Sequence, residues 1–360
     1  MRRLAVLVAI PALLAVVLGA PVPSAAAGGG SEARIFWTDA NWWGTAKAEL
    51  GTANADGTKA RALVRAEAGP PGAHQTGYVA VDPQGRYVYW ARQSPDTGIR
   101  RIRMDGTGED WVITTGSPFG VAVSSSRVYW TDDVASTIAR SRIDGSHETT
   151  LVTGLGVPDS YIASPHDIAI DEAGGKLYWT ATALNVIQRS NLDGTGVETI
   201  ATTQSPMGIG LDLVHGNVYW ATGCIYRVPL AGGTPATVLC TGLPVIDVAV
   251  DGDAGELYWT QVDDQAHTGE IRRAHLDGSA VELLLSKGLA YPWGIAVANV
   301  KVQPPAPSRN PVAPPAPETS AAPTPRSDSD GVDIMLLALL LGALAGGFVS
   351  LTRRGARVLP

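Results

Sequence analysis

The sequence predicts an all-β fold, a six-bladed β-propeller of four-stranded antiparallel blades. Two observations predict it. A phrase of Tyr (once Phe) followed by Trp recurs six times, at Trp37, Trp90, Trp130, Trp179, Trp220 and Trp259, and a period of about 40–50 residues marks a repeat architecture. The repeats are also out of phase at the ends. The first unit opens at its second strand, and a spare first strand, Ile295-Ala296-Val297, follows the last unit. That spare strand completes the first blade, so both ends of the domain close the ring and no sheet edge is left open.

Four pieces recur in order within each unit. A Pro-x-Gly phrase leads a short apolar run, as in Pro118-Phe119-Gly120-Val121-Ala122-Val123. A tight turn follows, such as Asp82-Pro83-Gln84-Gly85, and then the Tyr-Trp strand. Last comes Ile-x-Arg, an Asp-Gly turn and a further apolar run, as in Ile138-Ala139-Arg140, Asp144-Gly145 and Leu151-Val152. Asp-Gly between two β-rich runs is a strong hairpin signal. The four pieces are therefore strands A to D of a blade, and the propeller spans 32–302.

The segments outside the ring predict an address. Arg2 and Arg3, an apolar stretch over 4–18 and the small residues Ser24-Ala25-Ala26-Ala27 read as a signal peptide over 1–27. Nine prolines among Ala, Ser and Thr in 303–330 read as an extended stalk. Residues 334–351 are apolar save for Ser350 and predict a transmembrane helix over 334–352. Arg353, Arg354 and Arg357 follow it, which places the tail 353–360 in the cytoplasm and the propeller outside the cell. Gly342 and Gly346 make one GxxxG, a candidate face for weak self-association.

Composition narrows the function. Of 27 basic residues, five are the terminal arginines; the remaining 22 face 34 acidic ones. Such a balance excludes nucleic acid as the expected partner, because phosphate backbones need a basic face.

Taken together, these phrases resemble the YWTD propeller of the low-density lipoprotein receptor family, its class B repeats, over about 32–298. The resemblance implies a six-bladed extracellular propeller. Two departures limit it. The Asp of the motif stands only at Asp39 and Asp132, with Arg92, Ala181, Thr222 and Gln261 elsewhere, and no cysteine-rich module flanks the ring. The receptors' ligands are therefore not implied.

The six Trp and their Tyr neighbours read as structural, because identical residues in every blade do not define one asymmetric site. The Ile-x-Arg arginines (Arg101, Arg140, Arg189, Arg227, Arg273) read the same way. The Asp-Gly pairs read as turns, not calcium loops, since no second ligand stands nearby. Cys224 and Cys240 flank the turn at Gly232 symmetrically and predict a disulfide outside the cell.

Candidate binding residues cluster on one face. The D-A and B-C connections vary in length, and varied loops on a rigid scaffold carry binding. The x residues of the Pro-x-Gly phrase are Thr76, Phe119, His166, Met207, Ile246 and Trp293. Trp42, Trp43 and Tyr161 fall in loops of the same face. Phe119, His166, Met207, Trp293, Trp42, Trp43 and Tyr161 are the expected contacts for a protein or cell-envelope ligand, unless they cover one another and plug the channel. His166, Asp167 and Asp247 form the alternative. They could make a metal-dependent hydrolase or lyase site at the channel mouth, where six-bladed lactonases carry polar rings, but the matching Gly77, Gly120, Gly208 and Gly294 bring no ligand. No cofactor or metal is expected.

Overall fold

The computed structural model describes residues 31–40, 48–65, 75–156 and 165–301. They form six four-stranded antiparallel sheets arranged as the blades of a propeller. Blade 1 consists of β24 (Pro292–Lys301), β1 (Ser31–Asp39), β2 (Ala48–Asn54) and β3 (Arg61–Arg65). Blade 2 is β4 (Gln75–Val81), β5 (Tyr87–Ser94), β6 (Gly98–Arg103) and β7 (Asp110–Ile113). Blade 3 is β8 (Pro118–Val123), β9 (Arg127–Asp132), β10 (Thr137–Arg142) and β11 (Thr149–Val152). Blade 4 is β12 (Pro165–Asp171), β13 (Lys176–Ala181), β14 (Val186–Asn191) and β15 (Glu198–Thr202). Blade 5 is β16 (Ile209–Asp212), β17 (Asn217–Thr222), β18 (Cys224–Pro229) and β19 (Ala236–Cys240). Blade 6 is β20 (Val245–Asp251), β21 (Glu256–Asp263), β22 (Thr268–His275) and β23 (Glu282–Leu285).

Ring closure follows the phase of the repeats. The last strand, β24, pairs antiparallel with the first, β1, from Ser31↔Lys301 to Asp39↔Pro292. Asp39, one of the two surviving motif aspartates, accepts the backbone N–H groups of Ala290 and Tyr291, both at 2.8 Å. The signal peptide, stalk and membrane span predicted from the sequence lie outside the described residues, as do Trp42, Trp43 and Tyr161. Among the described residues no helix is long and apolar enough to cross a membrane.

The aromatic pair fills the space between blades. Trp90, Trp130, Trp179, Trp220 and Trp259 are at most 1% exposed, and Trp37 is 4% exposed. Each lies in an apolar cluster that spans two blades. Tyr178 of blade 4, for example, packs with Trp220 and Ile209 of blade 5. Large flat side chains bury the most area per residue there, which is why a bulky aromatic recurs at that strand position.

The repeated polar residues join one blade to the next. Arg101 Nη1 donates to the carbonyl of Ile143 at 3.2 Å, Arg140 to Leu192 at 2.8 Å, Arg189 to Leu230 at 2.6 Å and Arg273 to Ala55 at 3.4 Å. Each Ile-x-Arg arginine also sits opposite the Tyr of its Tyr-Trp phrase, as Arg101 does Tyr89 and Arg189 does Tyr178. The motif threonines do the same nearer the axis. Thr38 Oγ1 donates to Gly77, Thr131 to His166, Thr180 to Met207 and Thr260 to Trp293. Gly120 shows why the phrase ends in glycine: a Cβ there would stand 2.5 Å from the His166 carbonyl of the next blade.

Each Asp-Gly pair is a turn. Asp56, Asp105, Asp144, Asp193 and Asp277 accept the backbone N–H of the Thr or Ser two residues on, at 2.8–3.0 Å. The hydroxyl of that Thr or Ser is the first cause holding each of these carboxyls below its ordinary range. Cys224 and Cys240 face each other in register on β18 and β19 and form a disulfide.

Candidate functional site

In five blades the x residue is the second residue of its A strand, and in blade 5 Met207 stands two residues before β16. Five of the six A strands begin on an irregular register, with a shift between Pro118 and Val121 in β8 and between Pro165 and Ile168 in β12, for instance. These bulges turn side chains out of the sheet plane, a common device next to sites. The structure corrects one part of the sequence reading here. The x residues lie at strand starts and only some reach solvent: Thr76 is 3% and Ile246 2% exposed, while Phe119, His166, Met207 and Trp293 are half-buried.

The aromatic x residues pack on one another around Tyr78. Phe119 meets His166 edge to face at 5.2 Å, Trp293 at 5.5 Å and Tyr78 at 5.6 Å between ring centroids. Trp293 stacks on Tyr291 at 5.5 Å. Edge-to-face and offset contacts are the favoured aromatic geometries. Above this cluster lies a cavity of about 400 Å³ lined by Gln75, Thr76, Gln93, Phe119, Asp133, His166, Trp293 and Ala40. Its floor is aromatic and its wall polar. Gln93 bridges to blade 3 through the Pro118 carbonyl at 2.6 Å and the Ser117 hydroxyl at 3.2 Å. Burial raises the Asp133 carboxyl above its usual range. Of these residues, sequence reasoning found Phe119, His166 and Trp293. It missed Tyr78, Gln75, Gln93 and Asp133, whose one visible signal was their adjacency to the Pro-x-Gly and Tyr-Trp phrases.

Asp167 and Asp247 stand apart from His166. They line a second cavity of about 190 Å³, walled by the inner A strands, whereas His166 lines the mouth cavity. Tyr78, 1% exposed, touches the ring cluster and lies within electrostatic reach of both aspartates. Each aspartate is engaged with backbone. Asp167 accepts N–H groups from Ile168 at 2.8 Å and from Ile209 of blade 5 at 2.9 Å. Asp247 accepts from Val248 at 2.7 Å and from Ile295 of blade 1 at 2.7 Å. They clamp blade 4 to 5 and blade 6 to 1. Among the described residues no three His, Cys, Asp or Glu side chains are grouped to hold a metal ion.

Burial pushes the Asp167 carboxyl up to about 8, against the two N–H groups that favour its charged form. Asp247 moves the same way, first from burial and then from the charge of Asp167. A folded-state value above the unfolded one means the folded chain holds the proton more tightly. That contribution to stability is complete below the unfolded carboxylate range, about 4, and is lost as pH rises through about 8. Thermal melts between pH 5 and 9 are expected to show this decline, and Asp167→Asn to flatten it. An unchanged slope in the variant would show that Asp167 is already ionised in the fold.

Comparison with known proteins places the repeat. Residues 126–172, from the A-B turn of blade 3 through the A strand of blade 4, match the family model "Low-density lipoprotein receptor repeat class B". A stretch of 100 residues is 30% identical to the vitellogenin receptor Yl of Drosophila melanogaster, covering 27% of this chain and 4% of that one. Another of 179 residues is 32% identical to low-density lipoprotein receptor-related protein 1 of Pyricularia oryzae, covering 40% of this chain and 56% of that one. The chain thus spans little more than half of the second relative and a small part of the first. Among solved structures, a chain of the nidogen/laminin complex superposes with a TM-score of 0.61 at 20% identity, over 75% of this chain and all of that one. TolB from Acinetobacter baumannii does so with a TM-score of 0.60 at 12% identity, over 74% of this chain and 66% of that one. At such identities the two structures speak to the fold. One Tyr-Trp unit of this chain, residues 126–172, thus matches the low-density lipoprotein receptor class B repeat, and it is one of six similar units in a closed six-bladed propeller.

Proposed function

We propose that this chain is a membrane-anchored extracellular interaction protein that binds a protein or cell-envelope partner at the loop-rich mouth of its propeller. The observation that carries the reading is the cavity of about 400 Å³ over the Phe119, His166 and Trp293 cluster. It is large enough for one or two side chains or a sugar ring, with an apolar floor for contact and polar walls for orientation. Half-buried aromatics in a concave site are the usual anchors of an interface. The class B relatives, named as receptors, agree with an extracellular binding role. Anchoring rests on the signal peptide, stalk and span read from the sequence.

The test is chemical cross-linking with the full chain in neutral detergent, followed by titration of the purified captured partner. Trp293→Ala, alone and with Trp42→Ala and Trp43→Ala, is expected to weaken binding at least tenfold, a typical anchor loss of about 1.4 kcal/mol or more. A melt of each variant separates lost contact from lost fold. A partner that binds the correctly folded variants as tightly as the wild type would overturn the assignment of this face.

A further inference from the structure

A second large cavity lies on the opposite face, between blades 1 and 2. It has a volume of about 640 Å³, and four arginines line it: Arg34, Arg61, Arg86 and Arg103. Glu32 and Asp105 line it too, leaving an excess of two positive charges. The groove exists because the repeat is broken there. In the other five blades the Tyr of the Tyr-Trp strand faces the arginine of the neighbouring strand. In blade 1 the same register pairs Phe36 with Thr52. That pair brings neither a hydroxyphenyl nor a guanidinium to the junction. Arg61, from the fourth strand, reaches only to a 3.5 Å contact with the Met104 carbonyl.

The arginines are short of partners. Among the described residues Arg34, Arg61 and Arg103 form no ion pair, although acidic residues outnumber basic ones in the chain. The Arg34 Nε is buried with no acceptor. Arg34 lies over the Phe36 ring at 5.8 Å and Arg103 over Tyr87 at 5.8 Å, which orients both guanidinium groups without neutralising them. The carboxylates are otherwise engaged: Glu32 pairs with Lys59 at 3.5 Å, and Asp105 is held in its turn by the Thr107 amide and hydroxyl at 2.8 and 2.7 Å. Burial first, and then repulsion from the neighbouring Arg61, lower the Arg34 guanidinium, against the pull of Glu32. An anion would relieve that repulsion, and planar guanidinium forks match phosphate oxygens two at a time.

We propose that this groove binds a phosphate group, either the free anion or the phosphodiester of an anionic lipid head, through Arg34, Arg61 and Arg103. The site is independent of the mouth cavity, and its failure would leave the loop-face reading untouched. The test uses the full chain in neutral detergent. Calorimetric titration with inorganic phosphate and pyrophosphate is one arm. Water-soluble short-chain phosphatidylglycerol, with phosphatidylcholine as the zwitterionic control, is the other. Binding in the first arm alone names the free anion, and binding in the second names the lipid head. In either case Arg34→Gln with Arg61→Gln is expected to weaken binding at least tenfold. Arg142→Gln, which closes the third strand of blade 3 as Arg103 closes that of blade 2, is expected to leave it unchanged. Should the double variant fail to fold, the exposed Arg103→Gln alone is expected to weaken binding severalfold and to reduce its salt dependence. No binding in either arm, or equal binding by wild type and a folded groove variant, overturns the proposal.

Discussion

Glu49→Ala is expected to lower the stability of the propeller by about 3–5 kcal/mol, the usual result of stripping one partner from a buried ion pair. Glu49 and Arg92 are 3% and 4% exposed, and Arg92 Nε stands 3.7 Å from Glu49 Oε1. The same oxygen accepts the Trp90 indole N–H at 2.9 Å. Removing the carboxylate takes a charged partner from Arg92 and the acceptor from a buried donor at the junction of blades 1 and 2. Denaturant melts of the single variants and of Glu49→Leu with Arg92→Met separate two cases. Charge burial costs energy, so the apolar double variant is expected to recover most of the loss. A double variant as unstable as Glu49→Ala would mean the pair contributes net stability. An alanine variant within 1 kcal/mol of wild type would show that water reaches Arg92.

The second large effect concerns ring closure. Ile295→Pro is expected to cost about 3 kcal/mol or more, because proline supplies no N–H and disrupts the strand ladder. The Ile295 N–H is the donor that Asp247 Oδ2 accepts at 2.7 Å, and Ile295 pairs with Trp37 across blade 1. Thr38 Oγ1 accepts the N–H of the adjacent Gly294 at 2.9 Å. Hydrogen exchange should report lost protection first in β24 and β1. A variant that melts as wild type, with β24 still protected, would show that the ring holds without this clamp.

These two sites show what a sequence carries and what it hides. The blades were legible because the Tyr-Trp phrase repeats, and because its missing first and spare last strands fit each other. The arginine bridges were legible as structural residues for the same reason, whereas the threonine bridges were not singled out. What is unique to one junction was harder to read. Arg92 announced itself as a departure from the motif Asp, yet its partner Glu49 lies on the preceding blade in a strand with no repeated phrase. The arginine groove likewise depends on two replacements, Phe36 and Thr52, that become neighbours only across the sheet. Asp167 and Asp247 were visible as replaced glycines, but the sequence could not show that each binds the backbone of the next blade. The aromatic cluster was foreseen as a choice between contact surface and channel plug. In the structure Phe119, His166 and Trp293 pack on one another and also line a cavity.

The pairing of β24 with β1 also sets how the domain would respond to mechanical load. Lys301 lies at the turn face, while β24 runs from Pro292 near the mouth. With a stalk pulling at Lys301 and a partner held at the mouth, tension would run along the strand. The ladder from Ser31↔Lys301 to Asp39↔Pro292 would then be strained in shear, its bonds sharing the force, instead of being unzipped one at a time. A domain closed by such a clasp stays shut under a tether's pull, whereas one closed by a strand peeled from its end would open.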